Sequence, residues 1–236
     1  VKLSRLVLLL AVLAAVLLLI AGPGTRMEWW DFRTGFKLLR WATFGGLTAA
    51  ALALVALLVP RTRRGGAASL VLALVIGLGV AYPPLQGMRT ARSVPPIHDI
   101  TTDTAQPPAF VAVLPLREDA PNPSDHPGED VAAQQRAAYP DLQPLRLDAE
   151  PAAAFERALE AARGMGWEIV ASDPAAGRIE ATDTTFWFGF KDDVVVRVAS
   201  DGDGSVIDVR SVSRVGMSDV GTNAKRIRAY LAAIGR

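Results

Sequence analysis

The chain has 236 residues, half of them hydrophobic, with a net charge of +1, two histidines and no cysteine. The absence of cysteine excludes disulfides, thiol catalysis and cysteine-bound zinc. The charge is unevenly placed: residues 1–93 hold eleven Lys/Arg and two Asp/Glu, a surplus of nine, whereas residues 94–236 hold fourteen and twenty-two, a deficit of eight.

A basic apolar half followed by an acidic polar half predicts a membrane domain over 1–93 and a soluble domain over 94–236. An acidic soluble domain argues against nucleic acid as a partner, because phosphate binding needs a net basic face. Three apolar runs lie in the first half, at residues 6–21, 41–59 and 67–82, the last closed by Pro83 and Pro84. About 20 residues carry a helix across the ~30 Å hydrocarbon core, so each run predicts a transmembrane helix with the lipid bilayer as its partner. The first run also has the length of a signal-peptide core. Pro23 after Gly22 and the two runs that follow favour a retained anchor. No Gly-x-x-x-Gly pair occurs in the runs, but the alanines between 49 and 56 suit close helix contact.

Orientation rests on loop cations. With the N-terminus inside, Lys2, Arg5, Arg61, Arg63 and Arg64 lie on the cytoplasmic side, against Arg26, Arg33, Lys37, Arg40, Arg89 and Arg92 on the other. The count is nearly even. The cations ahead of the first helix and the compact Arg61-Thr-Arg-Arg turn favour an inner-membrane protein with its soluble domain in the periplasm. Trp29, Trp30 and Trp41 fit an interfacial aromatic belt.

Beyond Pro84 the chain reads as extended around residues 94–104, with a short edge strand at 107–113. Residues 114–147 carry six prolines among polar side chains and predict a long loop. Asp148 is placed to cap a helix running to Arg163, with Phe155, Leu159 and Ala162 on its apolar face and Gly164 and Gly166 at its end. Four strands follow: 167–172, one from about 179, then one on each side of the Asp201-Gly-Asp-Gly204 turn. Residue 212, twelfth from Asp201, is a valine, so this turn is no calcium loop. The last helix starts near Asp219 or Thr222 and buries Ile227, Tyr230, Leu231 and Ile234, a spacing of three and four. The predicted class is α+β: three transmembrane helices, then an antiparallel-sheet domain with two helices packed on one face.

Side chains alternate across a strand. Val194, Val196, Val198, Ile207, Val209, Ile179 and Ala181 therefore face the helices, which gathers Glu180, Arg197, Asp208, Arg210 and Arg214 on the other side. Two outcomes follow for this acid–base ladder. It is a wetted face of cross-strand ion pairs, or the proline-rich segment and the His98 segment close over it and form a partly desolvated pocket. The Phe186-Trp187-Phe188-Gly189-Phe190 run either walls an apolar cleft or forms an aromatic cluster near the membrane. His98 with Asp99 and Asp103 raises a metal or general-base hypothesis, without the spacing of any known metal motif. Neither a Walker nor a dinucleotide glycine pattern is present, and Ser218 and Asp219 read as helix caps.

Three blocks, IHDITTD, RIEATDTTFWFGFKDDVVVRV and IDVRSVSRVGMSDVGTNAKRI, resemble a bacterial family, domain of unknown function 1499, over about residues 94–236. The resemblance implies that His98, Asp99, Asp103, Asp183, Asp192, Asp193, Arg197, Arg214, Asp219 and Asn223 occupy motif positions. It brings no activity, cofactor or metal with it. With no complete catalytic constellation in the chain, the leading expectation is a membrane-anchored binding or structural module of the cell envelope. Its ligand candidates are these residues with Asp208 and Arg210, and its partner an envelope protein or a lipid. The alternatives are a metal-dependent hydrolase built on His98 with Asp99, Asp103 or Asp192, and a carrier of a lipid or small apolar ligand.

Overall fold

The computed structural model describes residues 2–235. The chain forms two compact units: the segment up to Thr90 together with Phe186–Gly189, and Ala91–Thr185 with Phe190 onward.

The first unit is helical: α1 (Lys2–Arg26), α2 (Phe32–Leu58), a single turn α3 (Pro60–Arg63), and α4 (Ala67–Ser93), whose last three residues belong to the second unit. α1, α2 and α4 are long and apolar enough to cross a membrane. Asp31 caps α2, its Oδ1 accepting from the N–H groups of Arg33 at 2.8 Å and Thr34 at 3.1 Å. The helices meet through small side chains: Ala11 of α1, Ala49 and Ala53 of α2, and Ala73 of α4 are all inaccessible to solvent. Gly46 and Gly77 let the backbones of α2 and α4 approach closely, the device expected where hydrocarbon surrounds the helices. The expected stop at Pro83-Pro84 is not there, since α4 runs through both prolines to Ser93. Proline's fixed φ is compatible with a helix, so the chain continues through the pair at the cost of two amide donors and crowding against the carbonyls one turn back.

The second unit contains β1 (Asp99–Thr101), a 3₁₀ turn (Leu114–Arg117), α5 (Glu129–Ala138), β2 (Leu145–Leu147), α6 (Pro151–Gly164), β3 (Glu168–Asp173), β4 (Arg178–Thr184), β5 (Lys191–Asp201), β6 (Gly204–Ser213) and α7 (Thr222–Ile234). The sheet is antiparallel throughout, in the order β1-β6-β5-β4-β3, with β2 sharing the β1 edge of β6. The four strands expected after the helix are β3 to β6, and the sheet adds β1 and β2, three-residue strands too short to show alternation. The Asp201–Gly204 turn joins β5 to β6 as predicted.

Three further expectations are corrected. Residues 107–113 form no strand. The segment 114–147 is structured, holding the 3₁₀ turn, α5 and β2: Pro115 sits in the opening turn of the 3₁₀ element, where its missing amide costs nothing, and the other prolines leave Glu129–Ala138 free of them. The α6 helix starts at Pro151, not at Asp148. Proline at the first helical position needs no amide donor, and Glu150 before it makes no side-chain cap.

The main core lies between one sheet face and the helices. Val194, Val196, Ile179, Ile207 and Val209 pack against Phe155, Ala158 and Leu159 of α6 and Ile227, Tyr230 and Ile234 of α7. Trp167 and Tyr230 stack at 4.7 Å, and the buried Tyr230 hydroxyl donates to the Ala158 carbonyl at 2.8 Å. At the open edge of β1, Gln135 of α5 stands in for another strand. Its Oε1 accepts from Thr101 N at 2.9 Å, and its Nε2 donates to Thr101 O at 2.6 Å. A buried edge left without partners would carry a desolvation cost.

Candidate functional site

The sheet face away from α6 and α7 is covered. Residues 102–124 run across it as a strap, and Phe110 and Val113 of the strap pack on Val195 and Val212 of the sheet. Of the two outcomes left open by alternation, the covered face is the one observed. Asp99, Glu180, Asp193, Asp208 and Arg210 are all buried.

Each acid there is partnered within the chain. Asp99 on β1 holds Arg210 on β6 through Nε–Oδ1 at 3.0 Å and Nη2–Oδ2 at 2.8 Å. The same guanidinium donates to the Pro108 and Ser124 carbonyls and lies 5.1 Å from the Phe110 ring centroid. Asp208 and Asp103 share Arg197, whose Nη2 lies 2.7 and 2.9 Å from them. Asp103 also accepts from the N–H groups of Ala105 and Gln106, which turns the strap onto the sheet. Asp193 takes Arg117 of the strap at 2.6 Å, Arg214 through two hydrogen bonds at 2.9 and 2.8 Å, and the Thr182 hydroxyl at 2.7 Å.

Glu180 is held differently. Three consecutive strap amides, Val111, Ala112 and Val113, donate to its carboxylate at 3.0 Å, and Arg178 Nε lies 3.1 Å from Oε1. With side-chain exposure of 0% on Glu180, those amides do the work of water. This carboxylate fixes the strap's backbone.

Electrostatics follow from these contacts. Burial pushes the Asp193 carboxyl up, but Arg214, Thr182 and Arg117 outweigh it and hold the group below the ordinary aspartate value. Burial likewise opposes ionisation of Asp103, and the Gln106 and Ala105 amides with Arg197 overcome it.

A second polar cluster lies on the helix side, at the β6–α7 junction. Arg226 of α7 reaches Asp183 and Asp192, both at 2.6 Å, and also Asn223 and Ser211. Asn223 Nδ2 donates to the His98 carbonyl at 2.9 Å and to Ser213 Oγ at 3.1 Å. Asp219 precedes α7, and its carboxylate accepts from Gly221 N at 2.8 Å and Asn223 N at 2.7 Å; the N-cap position itself is Gly221, so Asp219 serves the first turn from two residues further back than expected. Burial raises this carboxyl above its ordinary range, with the Asp192 charge adding, despite those two amides. Val220 beside it has φ +55°, a left-handed backbone that a β-branched residue seldom adopts.

The sequence-derived candidates thus separate into two groups on opposite faces. Asp99, Asp103, Asp193, Arg197, Asp208, Arg210 and Arg214 lie under the strap with Glu180. Asp183, Asp192, Asp219 and Asn223 lie at the start of α7. His98 enters through its backbone carbonyl. His126 is the histidine beside the ladder, near enough for the charges of Asp99 and Arg210 to act on it. Burial lowers its pKa, and Nδ1 accepts from Gly128 N.

Sequence reasoning missed Arg117, His126 and Arg226. Arg226 carried a legible signal, because it shares a helical stripe with Asn223, Ile227 and Tyr230. Arg117 carried none, since its partner lies 76 residues away. Asp99, Asp103 and Asp192, the carboxylates paired with His98 in the metal hypothesis, each hold an arginine. Among the described residues no three His, Cys, Asp or Glu side chains are grouped to hold a metal ion.

An antiparallel α+β domain following three long apolar helices defines the class of protein. The family model described as Protein of unknown function (DUF1499) matches residues 99–234, more than half of the chain, and the chain belongs to that family. No curated protein matches it.

Proposed function

We propose that this chain is a membrane-anchored structural or binding module of the bacterial cell envelope, with its sheet domain on the periplasmic side of the inner membrane. The observation that carries the reading is the state of the charged residues. The sheet-face carboxylates are engaged by arginines or backbone amides of their own chain, and they tie the strap to the sheet. A general base or metal ligand needs a carboxylate with access to substrate or ion; these have a structural task. The interior between sheet and helices is filled by Ile179, Ile227 and Tyr230, which supports a solid scaffold over a carrier of apolar ligands. The three apolar helices support the anchor, and the cations ahead of α1 with the Arg61–Arg64 turn support the orientation.

Reporter fusions at the C-terminus test the placement. Alkaline phosphatase activity is expected there, and a fluorescent cytoplasmic reporter without phosphatase activity would overturn it. The binding role is tested by purifying the full chain from envelope membranes and identifying what stays bound. A partner retained by the wild type and lost on alteration of the domain surface is expected; turnover of generic ester or phosphate substrates would replace this reading with an enzymatic one.

A further inference from the structure

The β4–β5 connection is aromatic, and its residues Phe186–Gly189 group with the helical unit. Three contacts seat them where α1 gives way to α2. Arg26, the last residue of α1, donates from Nη1 to the Phe186 carbonyl at 2.6 Å. The Trp187 indole takes the space that a Cβ on Gly22 would fill. The Phe188 ring lies 5.1 Å from that of Phe36, and a Cβ on Gly35 would come within 2.9 Å of it. Glycine at 22 and 35 is what opens this notch.

Phe186 itself is left out of the seat, with 88% of its surface exposed. Met27 and Trp29, on the turn between α1 and α2, are exposed beside the same helix end. Depth in a membrane follows from α1. Its 25 residues span about 37 Å at 1.5 Å per residue, against a hydrocarbon core of ~30 Å, so Arg26 falls at headgroup level. A terminal arginine with Trp29 and Trp30 three and four residues beyond it is the side-chain pattern of a membrane–water boundary. The Phe186 carbonyl, bonded to Arg26, shares that level.

We infer that residues 186–189 are a lipid-facing anchor, with the Phe186 ring inserted into the interfacial layer of the bilayer that α1, α2 and α4 cross. The inference rests on the membrane reading above. The occupant is lipid because the exposed ring is held, through Arg26, at the end of a helix long and apolar enough to span the bilayer.

The absence of cysteine makes the test direct. Phe186→Cys and, as a reference, Leu13→Cys in the middle of α1 are labelled with an environment-sensitive dye in the full chain, reconstituted in lipid nanodiscs. Both sites are exposed, so neither change opens the protein core. The label at 186 should show blue-shifted emission, quenching by lipids spin-labelled near the headgroup, and loss of the iodide quenching seen with dye on free cysteine. Iodide quenching equal to that of the free conjugate, or shielding from both quenchers, overturns the inference. The label at 13 should be quenched by lipids spin-labelled deep in the chain. If it is and the label at 186 is not, only the anchor fails; if neither is quenched by lipid, the membrane reading fails with it.

Discussion

Arg210 and Asp99 form a bidentate pair, Nε–Oδ1 3.0 Å and Nη2–Oδ2 2.8 Å, with side-chain exposures of 3% and 2%. The pair joins β6 to β1 across 111 residues of chain. Removing one partner leaves an unpaired charge in a buried layer, which costs about 3–5 kcal/mol. Asp99→Ala and Arg210→Ala are therefore each expected to lower the thermal midpoint of the detergent-solubilised chain strongly. An apolar replacement of both, Asp99→Leu with Arg210→Met, should lose less than the two single changes together. Additive losses would show that the two residues act independently.

Glu180 tests the strap. Glu180→Gln keeps the side chain's size but loses the charge that three amides share, a change of about 1–3 kcal/mol. Hydrogen exchange at Val111, Ala112 and Val113 should speed up in the variant, while exchange in β5 and β6 stays near wild type. Unchanged protection at the three amides would mean that Phe110 and Val113, not Glu180, hold the strap down.

Two buried aspartates predict opposite pH trends. Asp193 has a folded pKa below the ordinary aspartate value of 3.8, so the stability it supplies is complete above that value and disappears as pH falls through the folded one. Asp219 has a folded pKa above 3.8, so the folded state binds its proton more tightly and stability declines as pH rises from 3.8 through the raised value. Thermal midpoints measured across acid pH should show a flatter low-pH fall in Asp193→Asn. Asp219→Asn should flatten the trend above pH 3.8. A variant that parallels the wild type throughout would assign that dependence to another group.

Val220 is expected to carry removable strain. A left-handed conformation costs a residue with a Cβ roughly 1–2 kcal/mol, partly offset by the backbone entropy that glycine loses. Val220→Gly should raise the thermal midpoint slightly. A fall instead would show that the valine side chain has packing value beyond its backbone cost.

The sheet was readable because alternation is a local signal. Val194, Val196 and Val198 on one face against Val195 and Arg197 on the other follow from the period of two, and the buried stripe of α7 from the period of 3.6. What covers the ladder was not readable. The strap holds its place through Glu180 and Asp193 contacts made across 67 to 76 residues, and no local pattern encodes such a distance. Proline density over 114–147 suggested irregular chain, but prolines bound an element as readily as they exclude one, and α5 sits between Pro127 and Pro140. The pairing of His98 with nearby acids failed for a related reason. Adjacent residues in an extended chain point to opposite sides, so His98 and Asp99 are neighbours in sequence without sharing surroundings.

The same geometry gives Asp192 and Asp193 a joint consequence. Neighbours on β5, they answer to opposite sides of the sheet: Asp192 to Arg226, Asp193 to Arg117 and Arg214. Slide β5 one residue in one direction and Val194 would stand among two arginines; slide it the other way and Lys191 would confront Arg226. Either mistake strands charge on one side or sets cation against cation, whereas valines alone would police only the apolar side. The aspartate doublet works as a two-sided key that admits a single alignment of the longest strand.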